Sequence, residues 1–192
     1  AALDRAAVEK LRAEGEEKAW CAGCNNQVPI SKICRSGKID TMPKIFISYA
    51  HEDRDHKNDL FKWLNALNWK DKVDIWEDEQ IGAGAELDKA VKEQLAAADI
   101  IVLLVSIDFL ASKYIKEVEF VRAMERHDKN EALIIPVILR ECFWQMTPIG
   151  KLLCLPKDGT PVEDYPKKDK AWNEVIGKIT EQLKAKFGWG DE

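Results

Sequence analysis

The chain has 192 residues, of which 46% are hydrophobic and 33% charged, and its formal net charge is -5. This length suits one core of ordinary domain size with a short appendage, and no apolar run approaches the roughly 18 residues of a membrane span. The negative net charge and the scattered basic residues argue against nucleic-acid binding, because phosphate contacts need clustered lysines and arginines.

The cysteines and the N-terminal segment point to the same compartment. Five cysteines, an odd number, occur at irregular spacing, and the N-terminal segment is too charged for a signal peptide. We therefore expect reduced thiols, no disulfide framework and a cytoplasmic location.

The first 41 residues differ in composition from the rest. Residues 3–19 are rich in Ala, Glu, Lys and Arg with a short apolar stripe, which predicts a surface helix. Residues 20–41 mix Cys, Asn, Pro, Ser and Gly, a composition typical of a loop or linker. We expect residues 1–41 to be an N-terminal helix with a linker, or a fragment of an upstream domain, and residues 42–188 to form the main domain.

The main domain alternates predicted strands and helices. Apolar runs predict strands at 44–49, 72–76, 99–106 and 132–140. Helical spacing marks three amphipathic helices, through Leu60, Phe61, Leu64 and Leu67; Leu87, Ala90, Val91, Leu95 and Ala98; and Trp172, Val175, Ile176, Ile179 and Leu183. Residues 141–169 are expected to hold one short helix and a fifth strand. The pattern predicts an α/β fold that is flavodoxin-like, with a doubly wound parallel five-stranded sheet and helices on both faces.

In such a sheet a ligand binds beyond the carboxyl ends of the strands, where the strand order reverses. That point lies between the first and third strands, so Tyr49, Ala50 and His51 should approach the helix after the third strand. The loop after the second strand, which contains Gly82 and Gly84, is expected at the same edge of the sheet.

Two glutamates in that helix, Glu117 and Glu119, lie two positions apart and therefore point to nearly opposite sides. Phe120 and Ala123 belong to the apolar side, and Glu119 is bracketed by apolar neighbours, whereas Glu117 follows Lys116. Helix phase favours Glu119 as the residue that faces the crevice, although most glutamates on amphipathic helices are simply solvated.

Two other patterns resemble functional sites. Cys21 and Cys24, with Cys34 nearby, offer three zinc ligands, but no fourth Cys or His follows at the usual spacing, so no metal site is predicted. Asp53 and Asp55 resemble the acidic pair of a phospho-receiver domain, but that chemistry needs an acceptor aspartate where Ser106 stands.

Four segments carry a resemblance to a known family. In order they are "KIFISYAHED", "VDIWEDEQIGAGAEL", "AAADIIVLLVSIDFLASKYIKEVEFVRAM" and "LIIPVILR". Together they resemble the Toll/interleukin-1 receptor (TIR) domain, above all its bacterial members, over about residues 43–187. Several motifs at coherent spacing are far more specific than one short pattern.

For enzymatic members, the resemblance implies an NAD+ glycohydrolase that releases nicotinamide together with ADP-ribose or a cyclic ADP-ribose. Such enzymes act as immune or anti-phage effectors. The alignment of "EFVRA" puts Glu119 at the position of the catalytic glutamate. NAD+ is the substrate, so no cofactor and no metal are implied.

The same alignment implies a set of NAD-binding positions: Ser48, Tyr49, Ala50, His51, Glu77, Gln80, Ile81, Gly84, Ser112, Tyr114 and Ile115. Many enzymatic members carry a tryptophan where this chain has Ile115, and Tyr114 lies one position before it. Some members carry basic residues where this chain has Ala50 and His51.

The resemblance also implies partners. Self-association through the BB loop region, residues 77–86, is expected to complete the active site, under the control of an upstream sensor domain or partner. Neither a membrane nor a nucleic acid is expected to bind. The alternative function is a non-enzymatic TIR interaction module, which signals or interferes with host TIR signalling.

Overall fold

The computed structural model describes residues 18–21, 26–29, 42–67, 73–76, 85–113 and 115–187. The chain divides into two compact units, Ala1–Met42 and Pro43–Glu192.

The first unit contains a two-stranded antiparallel sheet. Strand β1 is Lys18–Cys21 and strand β2 is Asn26–Pro29, with Ala19 opposite Val28. The prediction of a loop is therefore wrong for these residues, and Lys18 and Ala19 belong to a strand rather than to the predicted helix. Trp20 and Val28 have a high β-propensity, but the neighbouring Cys, Asn and Pro residues are typical of loops and obscure it. The rest of the predicted helix and Cys24 and Cys34 lie outside the described residues.

The second unit alternates strands and helices as predicted. In chain order it contains β3 Lys44–Ser48, α1 Arg54–Leu67, β4 Asp74–Trp76, α2 Ala85–Ala97, β5 Ile100–Val105, α3 Ile107–Ala111, a π-helix Ile115–Phe120, α4 Val121–Asp128, β6 Leu133–Ile138 and α5 Lys168–Phe187. A 3-10 turn, His51–Asp53, precedes α1.

The described strands of this unit form a parallel sheet in the order β4-β3-β5-β6. Ser48, the last residue of β3, lies opposite Leu103 of β5. The chain passes from β3 outward to β4 and then returns to β5 on the other side of β3. The strand order therefore reverses between β3 and β5, as expected, and the carboxyl ends of these two strands are neighbours.

Alternate residues of the strands pack on opposite faces of the sheet. Ile45 and Ile47 of β3 pack on one side with Leu60 of α1 and Trp172 of α5. Phe46 packs on the other side, in the cluster that contains Leu95 of α2 and Ala123 of α4. Helices therefore cover both faces, which explains why β5 is buried along its whole length.

The predicted fifth strand is replaced by a single parallel bridge between Val137 and Leu155. Leu155 accepts a hydrogen bond from the Ile138 amide at 2.7 Å, and its own amide donates to the Pro136 carbonyl at 2.8 Å. The nitrogen of Pro136 faces this outer edge, so its missing proton costs no bond to β5. In the rest of 141–169, four 3-10 turns replace the predicted short helix: Trp144–Met146, Pro148–Lys151, Lys157–Gly159 and Val162–Asp164.

Candidate functional site

A buried serine–glutamate pair lies at the point where the strand order reverses. The Ser48 hydroxyl donates a hydrogen bond to Oε2 of Glu119, with 2.5 Å between the oxygens. Ser48 is 2% exposed and Glu119 is 8% exposed. Ser48 follows Phe46 by two positions and therefore faces the side of the sheet that α2 and α4 cover. This is also the side from which Glu119 approaches.

Glu119 lies in the π-helix that leads into α4. Residues Ile115–Phe120 form this element, and the fully buried Ala123 anchors the regular helix that follows. Before it, the Ser112 hydroxyl accepts a hydrogen bond from the Ile115 amide at 3.4 Å. A π-helix is a rare element that occurs often at functional sites, because one extra residue per turn changes which side chains face inward. Glu119 is the buried carboxylate that results.

The predicted nucleotide-flanking loop after β3 is anchored at its base. Ala50 is buried, and its carbonyl accepts the Asp53 amide at 2.8 Å. The Tyr49 ring packs against the core on the α1 side, with Nζ of the buried Lys57 5.7 Å from its centroid. His51 is exposed at the start of the 3-10 turn. The loop thus combines an anchored backbone with one exposed imidazole, three residues after Ser48 along the chain.

The remaining predicted NAD-binding positions divide into two groups. Ser112 is half-buried, and Ile115 is buried in the core on the α2 and α4 side. Tyr114 and residues 77–84 lie outside the described residues, and with them Glu77, Gln80, Ile81, Gly84 and most of the expected BB loop. Of the predicted positions that the structure describes, Ser48 and Glu119 are in direct contact. The Tyr49 ring packs on the α1 side of the sheet, whereas Ile115 packs on the α2 and α4 side.

A second buried carboxylate, Asp53, holds a charged network at the same edge. Asp53 is fully buried and accepts hydrogen bonds from the Ser106 hydroxyl and the Arg140 guanidinium. Arg140 also donates to Asp108 at 2.8 Å. The Ser106 hydroxyl in turn accepts the Phe109 amide at 3.1 Å and so caps α3. This network links three connections of the sheet. Asp53 lies in the connection after β3, Ser106 and Asp108 lie in the one after β5, and Arg140 lies in the one after β6.

The ionisation of Arg140 follows from these contacts. Burial by itself lowers the pKa of its guanidinium, but the charges of Asp53 and Asp108 outweigh burial and raise that pKa above its usual value. Arg140 is therefore a permanent cation that compensates Asp53. The sequence signal for Arg140 is a charged residue two positions after the buried strand β6, where the carboxyl edge of the sheet lies.

The two serine–carboxylate pairs link β3 and β5 reciprocally. Ser48 ends β3 and binds a carboxylate from the segment after β5, whereas Ser106 follows β5 and binds a carboxylate from the segment after β3. Each hydroxyl thus ties the end of one strand to the connection that leaves the other. The two central connections of the sheet are fixed relative to each other at the reversal point.

An apolar cavity of about 520 Å³ lies on the other side of the π-helix. Its lining comes from α3, the π-helix and the turns after β6: Ile107, Phe109, Leu110, Ala111, Ile115, Phe120, Phe143, Met146, Thr147, Pro148 and Ile149. Ile115 and Phe120 face this cavity, while Glu119 faces Ser48. The π-helix therefore separates an apolar side from a polar one.

The described residues hold no group of three or more His, Cys, Asp or Glu side chains arranged to bind a metal ion. Cys142 is half-buried and Cys154 is buried; burial raises the pKa of both thiols, to about 11 for Cys154. Neither is therefore an activated nucleophile. Within the same residues, no helix combines the length and the apolar composition needed to cross a bilayer.

Comparison with known proteins identifies the family of the domain that contains this site. The sequence model of the TIR domain matches residues 45–169. The uncharacterized protein y4lF of Sinorhizobium fredii is 42% identical over 140 residues, which make up 73% of this chain and 43% of that protein. This chain thus spans less than half the length of that relative. A crystal structure of a prokaryotic SEFIR domain aligns with 71% of this chain and 92% of its own, at 18% identity and a TM-score of 0.46.

Proposed function

The chain belongs to the TIR domain family, and from that premise we propose that it is an NAD+ hydrolase. It cleaves the bond between nicotinamide and ribose and releases nicotinamide with ADP-ribose or a cyclic ADP-ribose. Depletion of NAD+ by such an enzyme would serve as an immune or anti-phage response.

The buried Glu119 carboxylate is the observation that supports this proposal. Departure of nicotinamide leaves positive charge on the ribosyl carbon, and an ionised carboxylate stabilises such an oxocarbenium-like centre. Glu119 is 8% exposed, so water screens its charge little. The carboxylate is also held by Ser48 at the reversal point, where sheets of this kind bind ligands.

The loop after β3 supplies the nearest candidate contacts for the dinucleotide. We assign Tyr49, Ala50 and His51 to one flank of the substrate, and Ser112, Tyr114 and Ile115 to the segment before Glu119. The BB loop region contributes Glu77, Gln80, Ile81 and Gly84, and self-association through residues 77–86 completes the site.

The proposal is tested by incubating the protein with NAD+ and following nicotinamide release by chromatography. Replacing Glu119 with glutamine keeps the volume but removes the charge, so Glu119→Gln should lower turnover by about a hundredfold or more. Glu125→Gln is the matched control, since Glu125 is an exposed glutamate on α4; its turnover should equal that of the wild type.

Two outcomes contradict the proposal in different ways. If the wild type releases no nicotinamide even at concentrations where it self-associates, the enzymatic function is wrong. If Glu119→Gln is as active as the wild type while Glu117→Gln is inactive, the function stands and the catalytic glutamate is the other one.

A non-enzymatic interaction module is the second candidate function, and the surface after β6 favours it. Phe143, Met146 and Leu153 are 56%, 88% and 72% exposed. Phe143 and Met146 line the same cavity, and exposed apolar side chains that lie together are typical of protein–protein contact sites. The absence of NAD+ turnover together with concentration-dependent association would select this function.

A further inference from the structure

The Ser48 hydroxyl is turned away from solvent and toward a carboxylate. At 2% exposure, this residue has almost no surface that a dissolved ligand could touch. Its oxygen lies 2.5 Å from Oε2 of Glu119. We propose that Ser48 is a positioning residue, which holds Glu119 ionised and in one orientation, rather than a residue that contacts the nucleotide. Its catalytic consequence rests on the proposed function.

The direction of the hydrogen bond decides its effect on Glu119. An ionised carboxylate only accepts hydrogen bonds, so the hydroxyl is the donor. A donor favours the charged form of a carboxylate, whereas burial favours the protonated form. Ser48 therefore opposes the effect of burial at Glu119. A protonated Glu119 could not stabilise positive charge on the ribose, so this bond widens the pH range in which the site can work.

The backbone at Ser48 is rigid because its strand has a neighbouring strand on each side. Strand β3 is paired on both sides, with β4 and with β5, and Ser48 lies in register with Leu103. Glu119, in contrast, projects from a π-helix, whose hydrogen bonding is less regular than that of an α-helix. A reacting group on an irregular element needs a rigid partner to keep its geometry within the tolerance of catalysis.

Ser106 offers a matched comparison within the same fold. It is also a fully buried serine at the carboxyl edge of the sheet, and its hydroxyl also donates to a buried carboxylate. That carboxylate belongs to Asp53, not to Glu119. Replacing each serine with alanine therefore removes the same chemical group from two similar environments, and only one replacement should affect Glu119.

The direct test is an NMR titration of the full chain with 13C-labelled glutamate side chains, in which Glu119→Gln assigns the Glu119 signal. In Ser48→Ala the Glu119 carboxyl should titrate at higher pH than in the wild type, because its charged form has lost a donor. In Ser106→Ala its titration should be unchanged. An unchanged Glu119 titration in Ser48→Ala overturns the inference.

A second variant guards against a folding defect. Ser48→Cys nearly keeps the side-chain volume and replaces the hydroxyl with a weaker donor. Its Glu119 titration should move in the same direction as that of Ser48→Ala. Far-UV circular dichroism and thermal unfolding of both variants verify that the fold is retained, and a titration equal to that of the wild type in the folded Cys variant also overturns the inference.

Kinetics connect the titration to catalysis. In an active enzyme, Ser48→Ala should lower kcat by about tenfold to a hundredfold, the factor expected for losing a hydrogen bond to a charged group, with KM nearly unchanged. The acid limb of its pH–rate profile should move to higher pH. If kcat and the pH–rate profile of Ser48→Ala equal those of the wild type, the positioning role is refuted. If the wild type has no turnover, the proposed function is refuted, and the NMR titration alone tests the role of Ser48.

Discussion

At the scale of single residues, two buried carboxylates at one edge of the sheet have different partners. Asp53 is bound by a cation and a hydroxyl, and its ion pair with Arg140 compensates its charge. Glu119 accepts a hydrogen bond from Ser48 and projects from the segment that also lines the cavity. We therefore expect Asp53 to stabilise the fold at this edge, and Glu119 is the carboxylate that the proposed function assigns to catalysis.

Removing the cation from the Asp53 network should destabilise the fold. Arg140→Met keeps part of the aliphatic side chain but leaves the fully buried Asp53 without its compensating charge. Breaking a buried ion pair costs ~3–5 kcal/mol, and because the Arg140 side chain is 34% exposed and partly screened, we expect a loss of about 2–3 kcal/mol. The free energy of unfolding measured in urea tests this value.

Arg122 provides the control for this prediction. It is an exposed arginine on α4, and Arg122→Met should change the free energy of unfolding by no more than about 0.5 kcal/mol. Equal effects of the two substitutions would contradict a structural role of the Asp53–Arg140 pair.

At the scale of elements, the segment after β6 is built from 3-10 turns that pack on each other. Gly159 ends one of these turns with a φ of +70°, and a methyl group added there would lie 2.9 Å from Cη2 of the Trp144 ring. Trp144 begins another turn of the same segment. The absence of a side chain at Gly159 therefore allows two of these turns to pack against each other.

Adding a methyl group to this position should be costly. Gly159→Ala combines a backbone conformation that alanine disfavours with an overlap on Trp144, and we expect it to lower the free energy of unfolding by about 2 kcal/mol or more. Gly177→Ala, in the middle of α5 with open space around the new methyl group, should raise it by about 0.5–1 kcal/mol. Urea denaturation of both variants measures the contrast, and effects of the same sign would contradict the packing argument.

The π-helix shows where helix phase is an incomplete guide. A regular helix with about 100° per residue predicts that Glu119 faces inward, but residues Ile115–Phe120 do not follow that spacing. Glu119 is nevertheless buried. The apolar neighbours identified the inward side correctly, whereas the extra residue in the turn left no mark in the pattern of hydrophobic side chains.

At the scale of the whole molecule, the proposed NAD+ hydrolase is expected to be active as an assembly rather than as a single chain. If a second copy completes the site, NAD+ turnover per protein molecule should rise with protein concentration over the range where the chain associates. Parallel measurements of turnover and sedimentation test this expectation. A specific activity that stays constant while the sedimentation coefficient changes from that of a monomer to that of an oligomer would show that one chain suffices.

The sequence by itself determined the main strands and helices and the inward placement of Glu119, because alternating and helical apolar patterns report burial locally. The resemblance of four segments to a known family identified the TIR domain. Only the tertiary structure decided that a single bridge at Leu155 replaces a fifth strand and that Ser106 and Arg140 bind Asp53. It also paired Ser48 with Glu119, 71 residues away along the chain. Such pairs depend on the order in which strands lie side by side and on whether two polar atoms come within hydrogen-bonding distance of each other. No periodic pattern in the chain encodes either.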